Sequence, residues 1–228
     1  MKRVKENIKK IDKDKLYSLE DALDLLMSCN HPNFDQTIDV AINLGVDPRH
    51  ADQAIRGTVI LPNGTGKDVR VLVVTQGDNV KVALDAGADF AGSDEYLDKI
   101  KAGWADVDVI ISTPDMMPSL GRHGKVLGPK KLMPNPKSGT VTSDVDKAVK
   151  EQKSGKIEYR VDKYGIIHSG VGKVSFGKEK ISGNLEALMS AVLKARPDSL
   201  KGVYIKKVTI SSSMGPGVKI DKNCFKLR

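Results

Sequence analysis

The spacing of hydrophobic residues differs between the middle of this chain and its two ends, and this difference is the feature that constrains the fold most strongly. Apolar and polar residues alternate over residues 38–44, which predicts a strand with one buried face. Two unbroken apolar runs follow at 69–74 and 107–111, and such runs are typical of parallel strands buried on both faces. After residue 155 the first pattern returns, with strands expected at 156–160, 166–176 and 203–210.

Helical spacing of apolar residues predicts the remaining elements. Ser18 is expected to cap a helix over 18–30, and further helices are expected at 79–86, 94–101, 144–153 and 184–194. Alternation of strands and helices predicts a three-layer α/β unit in the middle. The predicted fold therefore combines two classes in two domains, one of them α+β and the other α/β. Residues 1–65 and 156–228 form a discontinuous α+β domain, and residues 66–155 form an inserted Rossmann-like α/β domain.

The formal net charge of +8 is concentrated in one part of the chain. Residues 1–65 sum to −1 and residues 66–156 to +1, whereas residues 157–228 carry 14 basic and 6 acidic side chains. Concentrated positive charge favours a polyanionic partner. A solvated basic face would explain the net charge equally well if no other feature accompanied it.

Residues 114–141 form a second basic feature, a predicted loop that is rich in Pro and Gly. No acid occurs between residues 116 and 143. A compact domain rarely keeps so long a loop without a use, and basic side chains bind phosphate. The candidate phosphate-binding residues here are Arg122, Lys125, Lys130, Lys131 and Lys137; the alternative is an exposed loop whose lysines only aid solubility.

Catalytic and cofactor signatures are missing from the sequence. The stretch Gly64-Thr-Gly-Lys67 has Leu61 and Asp68 where a phosphate-binding loop requires Gly and Ser or Thr. The four histidines and two cysteines lack metal-ligand spacing. We expect no enzymatic activity, no cofactor and no metal. The low cysteine content and the lack of a long apolar run predict a cytoplasmic protein without a membrane span.

Several short motifs allow either a binding or a structural interpretation. Three serines and two glycines at 211–217 can approach phosphate or ribose closely, or can form a plain strand-end turn. Phe34 can stack on a base or cover the core. Residues 162–165 suit a hairpin turn, and His168 suits a partly buried histidine as well as a nucleic-acid contact.

Long ordered blocks of this sequence resemble the L-one family of bacterial ribosomal stalk proteins. The blocks are FDQTIDVAINLGVDPRHADQAIRGTVILPNGTGK from Phe34, GWADVDVIISTPDMMPSLGRHGKVLGPKKLMPNPKSGTV from Gly103 and YIKKVTISSSMGPGVKI from Tyr204. Carried over by motif, the resemblance implies that the following residues contact RNA: Phe34, Thr37, Asp162, Lys163, Gly165, His168, Ser211, Ser213, Met214 and Gly215. The family often has Ala-Pro where this chain has Ser169-Gly170, and residues 221–228 are unlike the family's usual ending.

The function implied by the resemblance is non-catalytic. It comprises binding to a hairpin and junction of large-subunit ribosomal RNA within the 50S subunit and a part in release of exit-site tRNA. It also includes repression of translation through a similar structure in the protein's own messenger RNA. The main alternative is an α/β enzyme or nucleotide-binding protein that uses the middle domain. A third alternative is a general basic protein that packs nucleic acid regardless of its structure.

Overall fold

The computed structural model describes residues 2–12, 14–50 and 52–225. The chain divides into two compact units. The split unit comprises Met1–Gly66 and Ile157–Arg228, and the middle unit comprises Lys67–Lys156. The domain boundaries predicted from the sequence fall one residue before these limits, and the existence of two separately folding domains stays a prediction. Residues 226–228 of the atypical ending lie outside the described residues.

Seventeen helices and strands, besides short 3₁₀ turns, are described in the chain. Most are short, and the longest is the 17-residue helix near the C-terminus. In chain order they are α1 (Lys2–Lys9), α2 (Leu19–Met27), β1 (Thr37–Leu44), β2 (Arg56–Ile60), β3 (Val71–Val74), α3 (Asn79–Asp85), β4 (Phe90–Gly92), α4 (Asp94–Lys101), β5 (Val109–Ser112), α5 (Met117–Arg122), α6 (Gly124–Leu127), α7 (Val145–Lys153), β6 (Lys156–Arg160), β7 (Ile166–Lys173), α8 (Lys178–Lys194), β8 (Ile205–Ser212) and β9 (Val218–Ile220).

The split unit is built on a four-stranded sheet in the order β7-β1-β8-β9, with antiparallel pairing throughout. Helices α2 and α8 pack against one face of this sheet. The apolar residues of β1 and the apolar stripe of α8 are buried there, as the alternation over 38–44 predicts. The opposite face of the sheet carries polar and small residues. Strands β2 and β6 form a separate two-stranded sheet.

The middle unit contains a three-stranded parallel sheet in the order β4-β3-β5. All four residues of β3 are buried, as the apolar run predicts. Val71 and Val73 pack with α3 and α7, while Leu72 and Val74 pack with α4, α5 and α6. The unit is therefore a mixed α/β structure in which helices cover both faces of a parallel sheet.

The prediction of a loop over residues 114–141 is wrong, because much of this stretch is helical. A 3₁₀ turn at Pro114–Met116 leads into α5 and α6, and a second 3₁₀ turn covers Pro136–Ser138. Met116, Leu120 and Leu127 are buried in the core of the middle unit. Burial of these side chains supplies free energy that offsets the low helix propensity of the Pro and Gly residues between them.

Other differences concern the ends of elements. Helix α8 begins at Lys178 instead of residue 184, because Ile181 and Asn184 are fully buried and hold its first turns. Strand β7 ends at Lys173, and β8 is shifted to Ile205–Ser212. The sequence pattern does not reveal β4 and β9, which have three residues each.

The predicted cap of α2 is confirmed. Ser18 Oγ accepts a hydrogen bond from Asp21 N–H at 3.1 Å, and the Ser18 hydroxyl donates to Asp21 Oδ2 at 2.8 Å. A serine cap of this kind typically stabilises a helix by about 1 kcal/mol. The cap fixes the start of a helix that covers the sheet of the split unit.

Residues 2–12, 14–50 and 52–225 show neither a membrane-spanning helix nor a cluster of metal ligands. None of the helices there combines the length and the apolar composition needed to span a bilayer. No group of three or more His, Cys, Asp or Glu side chains is arranged to hold a metal ion. Cys29 is buried, Cys224 is exposed, and neither forms a disulfide.

Candidate RNA interface

The open sheet face is the side of the four-stranded sheet that α2 and α8 leave uncovered. Strand pairing brings together residues from three distant parts of the chain. Asp39 of β1 lies between Gly170 of β7 and Ser211 of β8, and Ala41 lies between His168 and Thr209. We define the open sheet face by these residues and Thr37, so its members are Thr37, Asp39, Ala41, His168, Gly170, Thr209 and Ser211. All are small, or carry a hydroxyl, carboxyl or imidazole group.

A shallow depression of about 410 Å³ occupies the centre of this face. Its lining includes Asp39, His168 and Ser211. Gly170 keeps the depression open, since an added Cβ would lie 3.3 Å from Thr37 Cγ2 and 3.4 Å from Asp39 Oδ1. The absence of a side chain at this position lets another molecule approach the sheet backbone closely.

Asp39 places a carboxyl group in the middle of the open sheet face. Burial raises the pKa of Asp39, and the positive charge of Lys173 opposes that rise. The Lys173 ammonium group itself donates to Thr37 Oγ1 at 3.1 Å. Sequence reasoning did not single out Asp39 as a candidate contact. The alternation over 38–44 was the available signal, because it places Asp39 on the same face as Thr37.

One end of the sheet is fixed by hydrogen bonds between the start of β1 and the turn that follows β8. Ser213 N–H donates to Thr37 O at 3.0 Å, and Thr37 N–H donates to Ser213 Oγ at 3.1 Å. Gly215 N–H donates to Ser212 O at 3.0 Å. A Cβ on Gly215 would collide with Ser212 Oγ. The serines and glycine of this motif therefore shape the turn, and the Ser213 hydroxyl is already engaged within the protein.

Two large apolar side chains are exposed at this end of the sheet. Phe34 is 54% exposed and Met214 is 53% exposed. Gln36, two residues after Phe34, accepts a hydrogen bond from Met214 N–H at 2.8 Å, so both belong to the same end. We call Phe34 and Met214 the apolar rim. The interpretation of Phe34 as a residue that covers the core is wrong, because its side chain faces solvent.

The turn after β6 holds three more of the predicted contacts, and His168 follows in strand β7. Asp162 Oδ1 accepts hydrogen bonds from Tyr164 N–H and Ile166 N–H, each at 2.8 Å. Burial tends to raise the pKa of Asp162, but these two donors and His168 outweigh it, so the pKa is lowered. Gly165 adopts a φ of +80°, which favours glycine. Asp162 and Gly165 thus shape the turn, whereas Lys163 and His168 expose their side chains.

This turn joins strands of two different sheets. Strand β6 pairs with β2, while β7 pairs with β1. Across the turn, an isolated antiparallel bridge pairs Val161 with Ile167, and Asp162 N–H donates to Ile166 O at 2.9 Å. The hairpin expected around 162–165 is therefore short, because β6 and β7 pair mainly with β2 and β1 and not with each other.

The five basic candidates of residues 114–141 all lie in the middle unit, not on the open sheet face. All five side chains are exposed. Lys130 Nζ donates to Gly103 O at 3.4 Å, and Lys131 is the only non-glycine residue with positive φ in the described part of the chain. The group consists of Arg122, Lys125, Lys130, Lys131 and Lys137.

Comparison with known proteins identifies the family. Residues 25–216 match the family model described as Ribosomal protein L1p/L10e family. The chain belongs to the ribosomal protein L1p/L10e family. A relative, the large ribosomal subunit protein uL1 of Protochlamydia amoebophila (strain UWE25), is 53% identical over 220 residues. The alignment covers 96% of this chain and 93% of that relative.

Membership of the L1p/L10e family confirms the resemblance drawn from the sequence blocks. The protein is a structural ribosomal protein, and the family is not one of enzymes. The matched span includes every one of the ten positions carried over by motif. The individual RNA contacts stay predictions, and the geometry separates them into two kinds. Phe34, Met214, Lys163, His168 and Ser211 present side chains to solvent or to the depression, while Thr37, Asp162, Gly165, Ser213 and Gly215 hold the backbone.

Proposed function

We propose that this L1p/L10e family protein binds large-subunit ribosomal RNA through the open sheet face and the apolar rim. The proposal rests on one observation: the exposed side chains of Phe34 and Met214 lie at one end of the same sheet as a depression that small and polar residues line. Proteins recognise RNA by its shape, its 2′-hydroxyl groups and its unstacked bases. An apolar rim suits stacking on a base, and the depression suits a ribose or a base edge.

The charges around the open sheet face support the same partner. Lys163 and Lys207 are exposed, and Lys173 and Lys219 are partly exposed. These side chains can bind phosphates and contribute affinity without sequence specificity. Asp39 repels phosphate, so the backbone of the RNA is expected to run beside the depression. A hydroxyl or amino donor of the nucleotide would then face the carboxylate.

The experiment is a titration with two RNAs at fixed salt. A transcript of the stalk hairpin and junction of bacterial large-subunit ribosomal RNA is compared with an unrelated hairpin of equal length. The wild-type protein should prefer the stalk transcript by at least about a hundredfold, as specific nucleic-acid binding requires. Equal affinity for both RNAs and for duplex DNA would instead indicate a general nucleic-acid packer.

The role of the rim is tested by Met214→Asp. Replacing an apolar contact by a carboxylate opposite phosphates should weaken binding to the stalk transcript by at least about tenfold. The matched control is Leu84→Asp, since Leu84 is 50% exposed in the middle unit and the charge change is identical. Lys130→Ala should weaken binding less than Met214→Asp. Equal losses for Met214→Asp and Leu84→Asp would contradict the assignment of the rim.

The place of the protein in the ribosome follows from the family. We propose that it is part of the large, 50S subunit of a cytoplasmic ribosome, because the relative carries a large-subunit name. We also propose that the split unit and the middle unit are separate domains, the first an α+β RNA-binding domain and the second an inserted Rossmann-like domain. The compactness of each unit supports this division.

Two regulatory or dynamic roles complete the proposal. The five exposed basic residues of the middle unit suit contact with exit-site tRNA or other ribosomal RNA, and through them a part in tRNA release. The open sheet face suits a hairpin of the protein's own messenger RNA, whose binding would repress translation. The alternative of an α/β enzyme or nucleotide-binding protein is not favoured, since the family match points to a ribosomal protein.

A further inference from the structure

The apolar rim is held from beneath by Gln36, a polar side chain that is only 1% exposed. Its Oε1 accepts the hydrogen bond from Met214 N–H, and its Nε2 lies 2.7 Å from His31 Nδ1. His31 Nε2 in turn lies 3.3 Å from Met27 O. A chain of hydrogen bonds therefore runs from the end of α2 to the Met214 peptide.

The donor and the acceptor of each hydrogen bond in this series are determined by the backbone N–H of Met214. A backbone N–H can only donate, so Gln36 must present Oε1 to Met214 and its NH₂ group to His31. The NH₂ group also only donates, and His31 Nδ1 must then be the acceptor. Its proton therefore resides on Nε2, which donates to Met27 O. As an acceptor for the Gln36 NH₂ group, His31 Nδ1 thus helps to hold the Gln36 amide in this orientation.

Residues 35 and 36 also form hydrogen bonds with the residues that follow β7. Gln36 O accepts a hydrogen bond from Val174 N–H at 2.9 Å. Asp35 accepts from the Ser175 N–H at 3.1 Å and from the Ser175 hydroxyl at 2.7 Å. Residues 35–36, which directly follow Phe34, therefore join the chain after β7 to the turn after β8.

We propose that Gln36, oriented by His31, is a positioning residue that fixes the Met214 peptide relative to Phe34 for RNA binding. The inference rests on the proposed function of the apolar rim. A turn that is already ordered in the free protein does not have to be ordered on binding, and this saving strengthens affinity. Removal of the Gln36 amide leaves the Met214 N–H without an acceptor and His31 Nδ1 without a donor, and so loosens the turn.

The experiment uses two residues of the chain and two measurements on the full-length protein. Gln36→Met keeps an unbranched side chain of similar length but removes both hydrogen bonds. His31→Leu removes the acceptor for the Gln36 NH₂ group, whereas His31→Gln retains an acceptor and a donor as a conservative control. Hydrogen exchange of the Met214 amide in the free protein reports the turn. The dissociation constant for the stalk transcript reports RNA binding.

We expect Gln36→Met and His31→Leu to accelerate exchange at Met214 and to weaken binding about tenfold, the effect of one buried hydrogen bond. His31→Gln should stay within about twofold of wild type in both measurements. Unchanged exchange in Gln36→Met, or faster exchange with unchanged affinity, would overturn the proposal. If Gln36→Met does not fold, the contrast between His31→Leu and His31→Gln decides. Failure of the wild-type protein to bind the transcript would refute the proposed function instead, while exchange would still report the turn.

Discussion

At the scale of single residues, the open sheet face and the apolar rim concentrate groups that do little for the stability of the free protein. Asp39 is the clearest case, because it is exposed at the surface yet partial burial of its carboxyl group beside Gly170 and Ser211 raises its pKa. Phe34 and Met214 likewise leave apolar surface in water. Exposed apolar surface and poorly solvated charge are typical of binding sites, where a partner later compensates for them.

Asp39→Asn is expected to stabilise the free protein at neutral pH. Because the folded-state pKa lies above the unfolded value, the ionised carboxylate lowers stability at pH values above the folded pKa. The destabilisation disappears as the pH falls through the folded pKa and below 3.8, the ordinary pKa of an aspartic acid. Urea unfolding of both proteins between pH 3 and pH 7 measures the difference, which should be largest at pH 7.

The same variant is expected to bind the stalk transcript more weakly, since an amide accepts a nucleotide donor less strongly than a carboxylate does. A stability difference that grows on acidification would contradict the assigned pKa shift. Stabilisation with unchanged affinity would show that Asp39 does not contact the RNA.

At the scale of elements, turns set by side chains decide how the recognition surface is presented. The turn after β6 depends on one carboxylate, which accepts hydrogen bonds from the backbone of Tyr164 and Ile166. That turn carries Lys163 on its tip and leads directly into the strand that bears His168. Met214 is positioned by the turn after β8 in a similar way, through Gln36. The polar residues of these turns therefore act through the backbone.

Asp162→Ala is expected to lower the free energy of unfolding by about 1–2 kcal/mol at pH 7, because two backbone donors lose their acceptor. Asp162→Asn keeps an acceptor oxygen and should lose less. The pKa of Asp162 is lowered in the folded protein. The stabilising contribution is therefore present above 3.8, the ordinary pKa of an aspartic acid, and is lost as the pH falls through the folded pKa.

Chemical denaturation of these two variants from pH 7 to pH 2 tests the assignment. The difference between wild type and Asp162→Ala should shrink at the acidic end. A difference that does not depend on pH would indicate that the carboxylate charge does not matter to the turn.

At the scale of the whole molecule, the part of the chain with the excess positive charge also supplies most strands of the proposed RNA-binding sheet. The excess positive charge lies in residues 157–228, and these residues supply β7, β8 and β9 of the four-stranded sheet. Strand β1 comes from the N-terminal part and lies between β7 and β8. The proposed RNA-binding surface is therefore complete within the split unit.

Deletion of residues 67–156, with Gly66 joined to Ile157 through a short glycine linker, should leave binding to the stalk transcript within about tenfold of wild type. The reason is that every residue of the open sheet face and the apolar rim lies in the split unit. Circular dichroism and cooperative unfolding of the shortened protein serve as the control for folding. Loss of binding by a folded deletion variant would contradict the assignment of RNA binding to this unit.

Much of the fold and the family could be inferred from the sequence alone. Hydrophobic periodicity reflects burial within single elements, so β1, β3, α4 and the cap of α2 were predictable from residues that lie close together in the chain. The long ordered blocks indicated a ribosomal protein family, which the comparison confirms. The motif around Met214 was also visible, although its spacing alone did not distinguish a contact from a turn.

Only the tertiary structure decided which residues share a surface and which of them are free to bind. Strand register places Asp39 beside Gly170 and Ser211, and no local pattern encodes a register between distant segments. Burial of Met116, Leu120 and Leu127 converted an expected loop into helices. Gln36 reads as an ordinary polar residue in the sequence, and its role emerged because folding buries it between His31 and the Met214 peptide. Long-range hydrogen bonds and packing depend on the completed fold, so they cannot be read from neighbouring residues.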